Sequence, residues 1–394
     1  MRRRQLERIW RAGVEACLPA RVLPSHLPSP PPGRTIGLAI GKAAAGMAAA
    51  LEASWPGDLS GIAVAPHGAS AALRRIALRT AAHPVPDAAS VAAAKHQLAL
   101  AEGAGPDDLV LVLLGGGASA LACLPGEGLA LEEKQAVTAA LLRSGAAIEE
   151  INCVRRHLSR IKGGRLGLAA APARLVTLAI SDVAGDRPED IGSGPTISDP
   201  STLADARALL FRYGITAPSA GWSESVKRLA GDYRVVASAG TALAAAAAEA
   251  KQLGYRPLVL GEVDGEARDI GREHGALALR LAPRTAILSG GELRVTVRGT
   301  GRGGPNQEYA LAAAMALAGS AVAGLAADSD GIDGASEAAG AWFDGGSLMR
   351  TARDPGAALD ANDSGGWFAS LGDLFVTGAT GTNISDLRIL LTPP

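Results

Sequence analysis

Gly41-Lys42 stands where the short apolar run Thr35 to Ile40 gives way to an alanine-rich stretch beginning at Lys42. A strand that turns into a helix on glycine aims backbone N–H groups at an anion, and a lysine there adds a full charge, so the pattern suits phosphate. It is not a Walker A loop: Gly37 to Gly41 spans one residue too few, and Ala43 occupies the place of the magnesium-holding Ser or Thr. A lysine merely solvating a helix start would look the same. Gly115-Gly116-Gly117-Ala118-Ser119 repeats the arrangement after DLVLVLL, with three glycines that let backbone approach a ligand and Ser119 in the first turn. In NCVRRHLSRIKGG, Arg155, Ser159 and Lys162 are spaced to share one face of a helix, and Gly163-Gly164 reads as its stop. Asp182 and Asp186 follow RLVTLAIS, at a strand end of the kind where α/β proteins bind ligands, and suit metal or base chemistry. Ser193 lies in the glycine-rich loop just beyond.

The second half offers two further clusters. Gly299-Thr300-Gly301-Arg302-Gly303-Gly304 fits GxGxxG, and Asn306, Gln307 and Glu308 after it are polar enough to bond a nucleotide. The dinucleotide reading is weak, because the preceding segments Arg284–Ser289 and Leu293–Arg298 around Gly290-Gly291 read as a hairpin. Asp328-Ser329-Asp330-Gly331-Ile332-Asp333 opens like a calcium loop, yet Ala339 stands where the closing Glu belongs. Magnesium suits these carboxylates better, and a solvated acidic turn remains the plain alternative.

Strands alternating with helices must position these residues, which implies a largely parallel sheet covered on both faces. Thr35–Ile40, Asp108–Leu114 and Arg174–Ser181 read as buried strands, with helices over Leu131–Gly145 and Ile148–Ile161. A second, mixed half begins with a strand near Val235 and ends in strands around Asp373–Thr377 and Asp386–Leu391. The 394 residues exceed what one core usually serves, roughly 250–300, so two domains are expected, here 1–228 and 229–394. A net charge of −1 argues against a nucleic-acid partner. Three scattered cysteines suggest neither a disulfide framework nor a zinc site, and a cytoplasmic location is expected. The arginine-rich start reads as an amphipathic helix. The uncharged stretch from Ala310 to Ala327 is mostly Ala and Gly, so no membrane span is expected.

GKAAAGMA, HPVPD, LLGGGASAL, NCVRRHLSRIKGGRL, ISDVAGDRPEDIGSGPT, GRGGPNQEYAL, DSDGIDGASEAAGA and TGATGTNISDL occur in order over most of the chain. This series resembles the glycerate 2-kinases that carry a MOFRL domain. The resemblance implies an α/β fold with a Rossmann-like N-terminal domain built on a parallel sheet, a smaller mixed α/β C-terminal domain of MOFRL type, and an active site in the cleft between them. It implies ATP-dependent phosphorylation of D-glycerate to 2-phosphoglycerate, with ATP and Mg2+ required. Lys42 matches the family's proposed catalytic lysine, and Gly115, Gly116, Gly117 and Ser119 match its phosphate-binding loop. Many relatives have an arginine where this chain has Pro305, and Arg302 is the residue that could replace it. On this reading Lys42, Asp182 and Arg302 are catalytic, while Asn306, Gln307 and Glu308 contact nucleotide. Arg155, Lys162 and Ser193 bind the acceptor, with Arg155 or Lys162 on its carboxylate, and Asp186, Asp328 and Asp330 are metal candidates. The expected partners are D-glycerate and ATP, with a homodimer as the admissible assembly and no nucleic-acid or membrane partner. The rivals are an NAD(P)H-dependent hydroxypyruvate reductase and a noncatalytic nucleotide-binding protein.

Overall fold

The computed structural model describes residues 2–394, which form two compact units. One unit is Pro19–Val236; the other joins Ala237–Pro394 to the N-terminal segment ending at Leu18. The division therefore falls slightly beyond the expected boundary at 228, and the first helix belongs with the C-terminal half. That helix, Arg2–Ala16, is amphipathic as expected and buries Leu6, Ile9, Trp10 and Val14. They pack with Leu243, Trp342, Phe375 and Leu387, and Trp10 meets Phe375 edge-on at 5.1 Å between ring centres.

The Pro19–Val236 unit is built on six strands: β1 Thr35–Ile40, β2 Leu59–Pro66, β3 Ile76–Ala81, β4 Leu109–Leu114, β5 Arg174–Ile180 and β6 Asp232–Ala237. Their order is β3-β2-β1-β4-β5-β6. β1 and β4 are buried along their whole length, which is why they read as unbroken apolar runs rather than as alternating ones. β1 pairs in parallel with β2 on one side and β4 on the other, and Ile40 stands level with both Val64 and Leu114. The chain order reverses between β1 and β4, and in open α/β sheets that reversal opens a ligand crevice beyond the carboxyl ends of the strands. Lys42, Gly115–Gly117 and Asp182 all lie just beyond the carboxyl ends of β1, β4 and β5. The strand near Val235, expected to open the second half, is β6 and closes the first sheet instead. Its neighbours in sequence do not reveal which sheet it joins.

The other unit carries a second six-stranded sheet. Its strands are β7 Arg256–Glu262, β8 Thr285–Gly290, β9 Ala323–Asp328, β10 Gly340–Asp344, β11 Leu374–Phe375 and β12 Asp386–Leu391, in the order β11-β10-β9-β12-β8-β7. β7 and β8 are parallel, whereas β12 runs antiparallel to both β8 and β9, so the sheet is mixed as expected. The expected hairpin at Gly290-Gly291 does not form. β8 pairs with β7 and β12, and the segment after it makes only an isolated bridge from Arg294 to Glu266. The alanine-rich stretch from 310 is divided between the helix Pro305–Ala316 and β9. Among the described residues no helix is long and apolar enough to cross a membrane.

Candidate anion-binding active site

The two glycine turns at the switch point are fitted to one another. The Lys42 N–H donates to the Gly116 carbonyl at 2.8 Å, and the Gly115 N–H donates to the carbonyl of Ile40 at 2.8 Å. Gly41 has φ +133°, and a β-carbon on it would lie 2.7 Å from the Gly115 carbonyl carbon. Only glycine lets the strand ends approach this closely. Gly117, at φ +76°, lies against Lys42 and His83: a β-carbon there would come within 3.4 Å of Lys42 Cγ and 2.8 Å of the His83 ring. The half-buried Lys42 side chain is thus held beside the third glycine of the β4 turn. The helix Ala44–Ser54 that follows has no side-chain cap at its start.

From Gly117 a cavity of about 550 Å³ extends through the same unit, reaching Ser119, Cys123, Lys134, Arg155 and Lys162. The structure therefore brings Arg155 and Lys162 together with the phosphate-type loop, though not on a shared helical face. The helix Ile148–His157 stops before Ser159, whose hydroxyl accepts from the N–H groups of Ile161 and Lys162 and turns the chain inward. Lys162 is only 1% exposed, and its Nζ donates to the Gly192 carbonyl at 3.1 Å. Ser193 is also fully buried and lies behind the wall. Its Oγ donates to Asn152 Oδ1 at 3.0 Å and lies 2.8 Å from Ser119 Oγ, which joins it to the cavity through Ser119. Asn152 is in turn anchored on Asp190, and Arg156 pairs with the buried Asp199 at 3.0 Å, which fixes this loop against the helix.

Lys134 is the residue that motif reading missed. It lies on the helix Leu131–Arg143 among the buried positions Val137 and Leu141, and its Nζ donates to the Leu158 carbonyl at 2.5 Å. A lysine on the apolar stripe of a helix was the available signal. Burial, then the charges of Lys134 and Arg155, depress the Lys162 pKa from 10.5 to about 7, against a smaller opposing effect of Cys123. Burial first, with Arg155 and Arg165 adding to it against Cys123, brings Lys134 down to about 8. The unfolded chain holds protons on these lysines between about pH 7 and 10.5 that the folded chain lacks, so their contribution to stability rises with pH across that window. An anion in the cavity favours the charged forms and should therefore bind with proton uptake, progressively more weakly above about pH 7–8. Inorganic phosphate titrated in buffers of different ionisation heats measures that uptake; buffer-independent heats at pH 8 would contradict it.

At the β5 end, Asp182 is half-buried, and Asp186 takes φ +54° with its N–H on the Val183 carbonyl. Several acidic and polar residues of the other unit have intramolecular partners, whereas the Gln307 side-chain amide and Asn306 Oδ1 are buried without one. Asp333, rather than a ligand, occupies the start of the helix Pro305–Ala316: its two oxygens accept the N–H groups of Asn306 and Gln307 at 3.0 and 2.9 Å. Asn306 also donates to Asp386 at 2.6 Å, and Glu308 pairs with Arg268 at 2.8 Å. Asn306, Gln307 and Glu308, the expected nucleotide contacts, are each at most 1% exposed. Asp328 and Asp330 accept the N–H groups of Asp330 and Ile332, which shapes their own turn. Among the described residues no three His, Cys, Asp or Glu side chains converge as a metal cage, so the metal candidates form no such cluster. The glycines of GTGRGG are consumed by packing: β-carbons on Gly299, Gly301 and Gly304 would collide with Ala361, Asp363 and Asp333. Arg302 presents an exposed side chain from this loop, with its N–H on Asp363 at 3.0 Å.

Comparison with known proteins gives concordant matches. The family model described as "Domain of unknown function (DUF4147)" matches residues 5–229, and that of the MOFRL family matches residues 285–386. A D-glycerate 2-kinase of Thermotoga maritima is 39% identical, over 97% of this chain and 96% of its own. A protein of Agrobacterium vitis, provisionally named a hydroxypyruvate reductase, is 46% identical over 99% of this chain and 94% of its own. The crystal structure of a Thermotoga maritima glycerate kinase superposes with a TM-score of 0.89 at 38% identity, covering 98% of this chain and 97% of that one.

Proposed function

The chain belongs to the glycerate 2-kinase family built from DUF4147 and MOFRL regions, and from that premise we propose that it transfers the γ-phosphoryl group of ATP to the 2-hydroxyl of D-glycerate. The carrying observation is the pair of interlocked glycine turns at the switch point, with Lys42 beside Gly117. Phosphoryl transfer needs positive charge around the equatorial oxygens and an in-line attacker more than it needs covalent help. Lys42 supplies that charge, and the loop Gly115–Gly117, anchored by the Gly115 N–H on Ile40, receives the phosphates with Ser119. The start of the helix Ala44–Ser54, which has no side-chain cap, adds the positive end of its dipole to the same edge. Asp182 takes the proton of the acceptor hydroxyl as its oxygen bonds to phosphorus and ADP departs with the former bridging oxygen. Magnesium entering with the nucleotide would meet Asp186 and neutralise phosphate oxygens. One or two carboxylates suffice for an ion that completes its shell with phosphate and water.

The reductase reading requires a place for a dinucleotide. The Gly299–Gly304 segment is packed on its own chain, and β2 ends in Pro66-His67, where a ribose-binding fold places an acid. Parallel incubations with ATP plus D-glycerate and with NADH plus hydroxypyruvate test the assignment. ADP formation that depends on D-glycerate is expected. NADH oxidation without ADP formation would defeat the kinase reading, and ATP binding without turnover would favour the noncatalytic rival.

A further inference from the structure

The cavity in the Pro19–Val236 unit holds more than a three-carbon acid requires. Its volume of about 550 Å³ is in the range that encloses a drug-sized ligand, roughly 300–1,000 Å³, whereas glycerate would fill a small part of it. Its two ends differ in chemistry. Lys134, Arg155 and Lys162 supply positive charge at one end, and both lysines are nine-tenths or more buried. The charged groups acting on these three are one another, Arg165 and Cys123, with no carboxylate among them. The lining carboxylate Glu132 is exposed. Three desolvated basic groups without a counter-charge suit a multiply charged anion, which draws both lysines into their charged forms; a single carboxylate would leave most of that charge uncompensated.

The other end is apolar, with Pro84, Val85 and Pro86 on one segment and Ala136, Ala139 and Leu142 on the helix Leu131–Arg143. Val85 is 60% exposed and Leu142 57%, so two large apolar side chains lie open to water at one cavity. A flat apolar body lying on them would remove that surface from water. Gln135 Nε2 donates to the Pro86 carbonyl at 2.6 Å and ties the two apolar segments together. Gly117 and Ser119, from the phosphate-type loop, line the same cavity.

We propose that this cavity seats the whole nucleotide, its base against Val85, Ala139 and Leu142 and its phosphates on Lys134, Arg155 and Lys162. The proposal rests on the kinase reading and adds Lys134 to the binding residues. It also moves Arg155 and Lys162 from the acceptor carboxylate to the nucleotide.

Calorimetric titration of ADP into the full chain tests it, together with KM values for ATP and D-glycerate. Ala139→Trp fills the apolar end. Leu142→Glu alters an exposed side chain that the fold does not need and sets a carboxylate where the base should lie. Each should weaken ADP binding by at least about tenfold and raise the KM for ATP to match, with the KM for D-glycerate within about twofold of wild type. Lys134→Met should bring the affinity for ADP down towards that for adenosine. Unchanged ADP binding in Leu142→Glu, or a rise confined to the KM for D-glycerate, would overturn the proposal while leaving the kinase reading in place. Wild type that binds ADP as described yet forms no phosphoglycerate would overturn the kinase reading and leave the nucleotide seat standing.

Discussion

Lys42→Ala should lower kcat by about 10²–10³ with little change in the KM for D-glycerate, the loss expected when a charge aimed at the transition state is removed. The side chain lies against Gly117, at the end of the loop proposed to receive the phosphates, so on that proposal its charge acts where the transferring group passes. The fold should survive the change. The turn is held by the Lys42 N–H on the Gly116 carbonyl, a backbone contact that alanine retains. The melting temperature therefore separates the two readings of a slow variant. Wild-type turnover in a variant that melts normally would remove Lys42 from the chemistry. Arginine at this position should restore only part of the rate, because its planar fork cannot reproduce a compact ammonium beside the glycine turn.

Arg388→Met should destabilise the unit that contains it by about 3–5 kcal/mol, the usual consequence of leaving one member of a buried ion pair alone. Arg388 is wholly buried; its Nη1 pairs with Asp386 at 2.9 Å, and its Nη2 donates to the carbonyls of Gly290 and Gly291. Asp333 already feels the strain of this crowding. Burial and then the charge of Asp386 push its carboxyl up to about 7, against the pull of the Asn306 and Gln307 N–H groups. Without Arg388, Asp386 loses its counter-charge, and through Asn306 the disturbance reaches the start of the helix Pro305–Ala316. For a unit of this size the melting temperature should fall by roughly 6–20 °C, at about 2–4 °C per kcal/mol. Adding Asp386→Asn to Arg388→Met should recover part of the loss, as a double-mutant cycle can measure. A single variant that melts within 1–2 °C of wild type, roughly the measuring error on that scale, would show that the pair carries no such weight.

Much of the first sheet was legible in the sequence because β1, β4 and β5 are buried on both faces and appear as continuous apolar runs bounded by glycine or polar turns. β3 was not, since it is an edge strand with only its end residues buried and no clear period. Strand partners were the harder problem. β6 and the segment after Gly290 show that local pattern gives a strand's existence more readily than the sheet it joins. At the candidate site, glycine after a strand marked a close backbone approach, since the contact of Gly41 with Gly115 admits no side chain. Polar clusters were harder to read. Asn306, Glu308 and Asp333 are as polar as any ligand-binding set, yet Asn306 donates to Asp333 at a helix start while Glu308 accepts from Arg268 and Asn362. Lys134 escaped because its meaning lies in tertiary burial, which a spacing rule detects only when a charged residue is read as a misfit on an apolar stripe.

Phosphorus NMR of the products formed from ATP and D-glycerate addresses the central claim most directly. Growth of the 2-phosphoglycerate resonance in step with ADP is expected, and it should disappear in Lys42→Ala on the same time scale. A resonance of 3-phosphoglycerate, or ATP left intact beside D-glycerate, would contradict it.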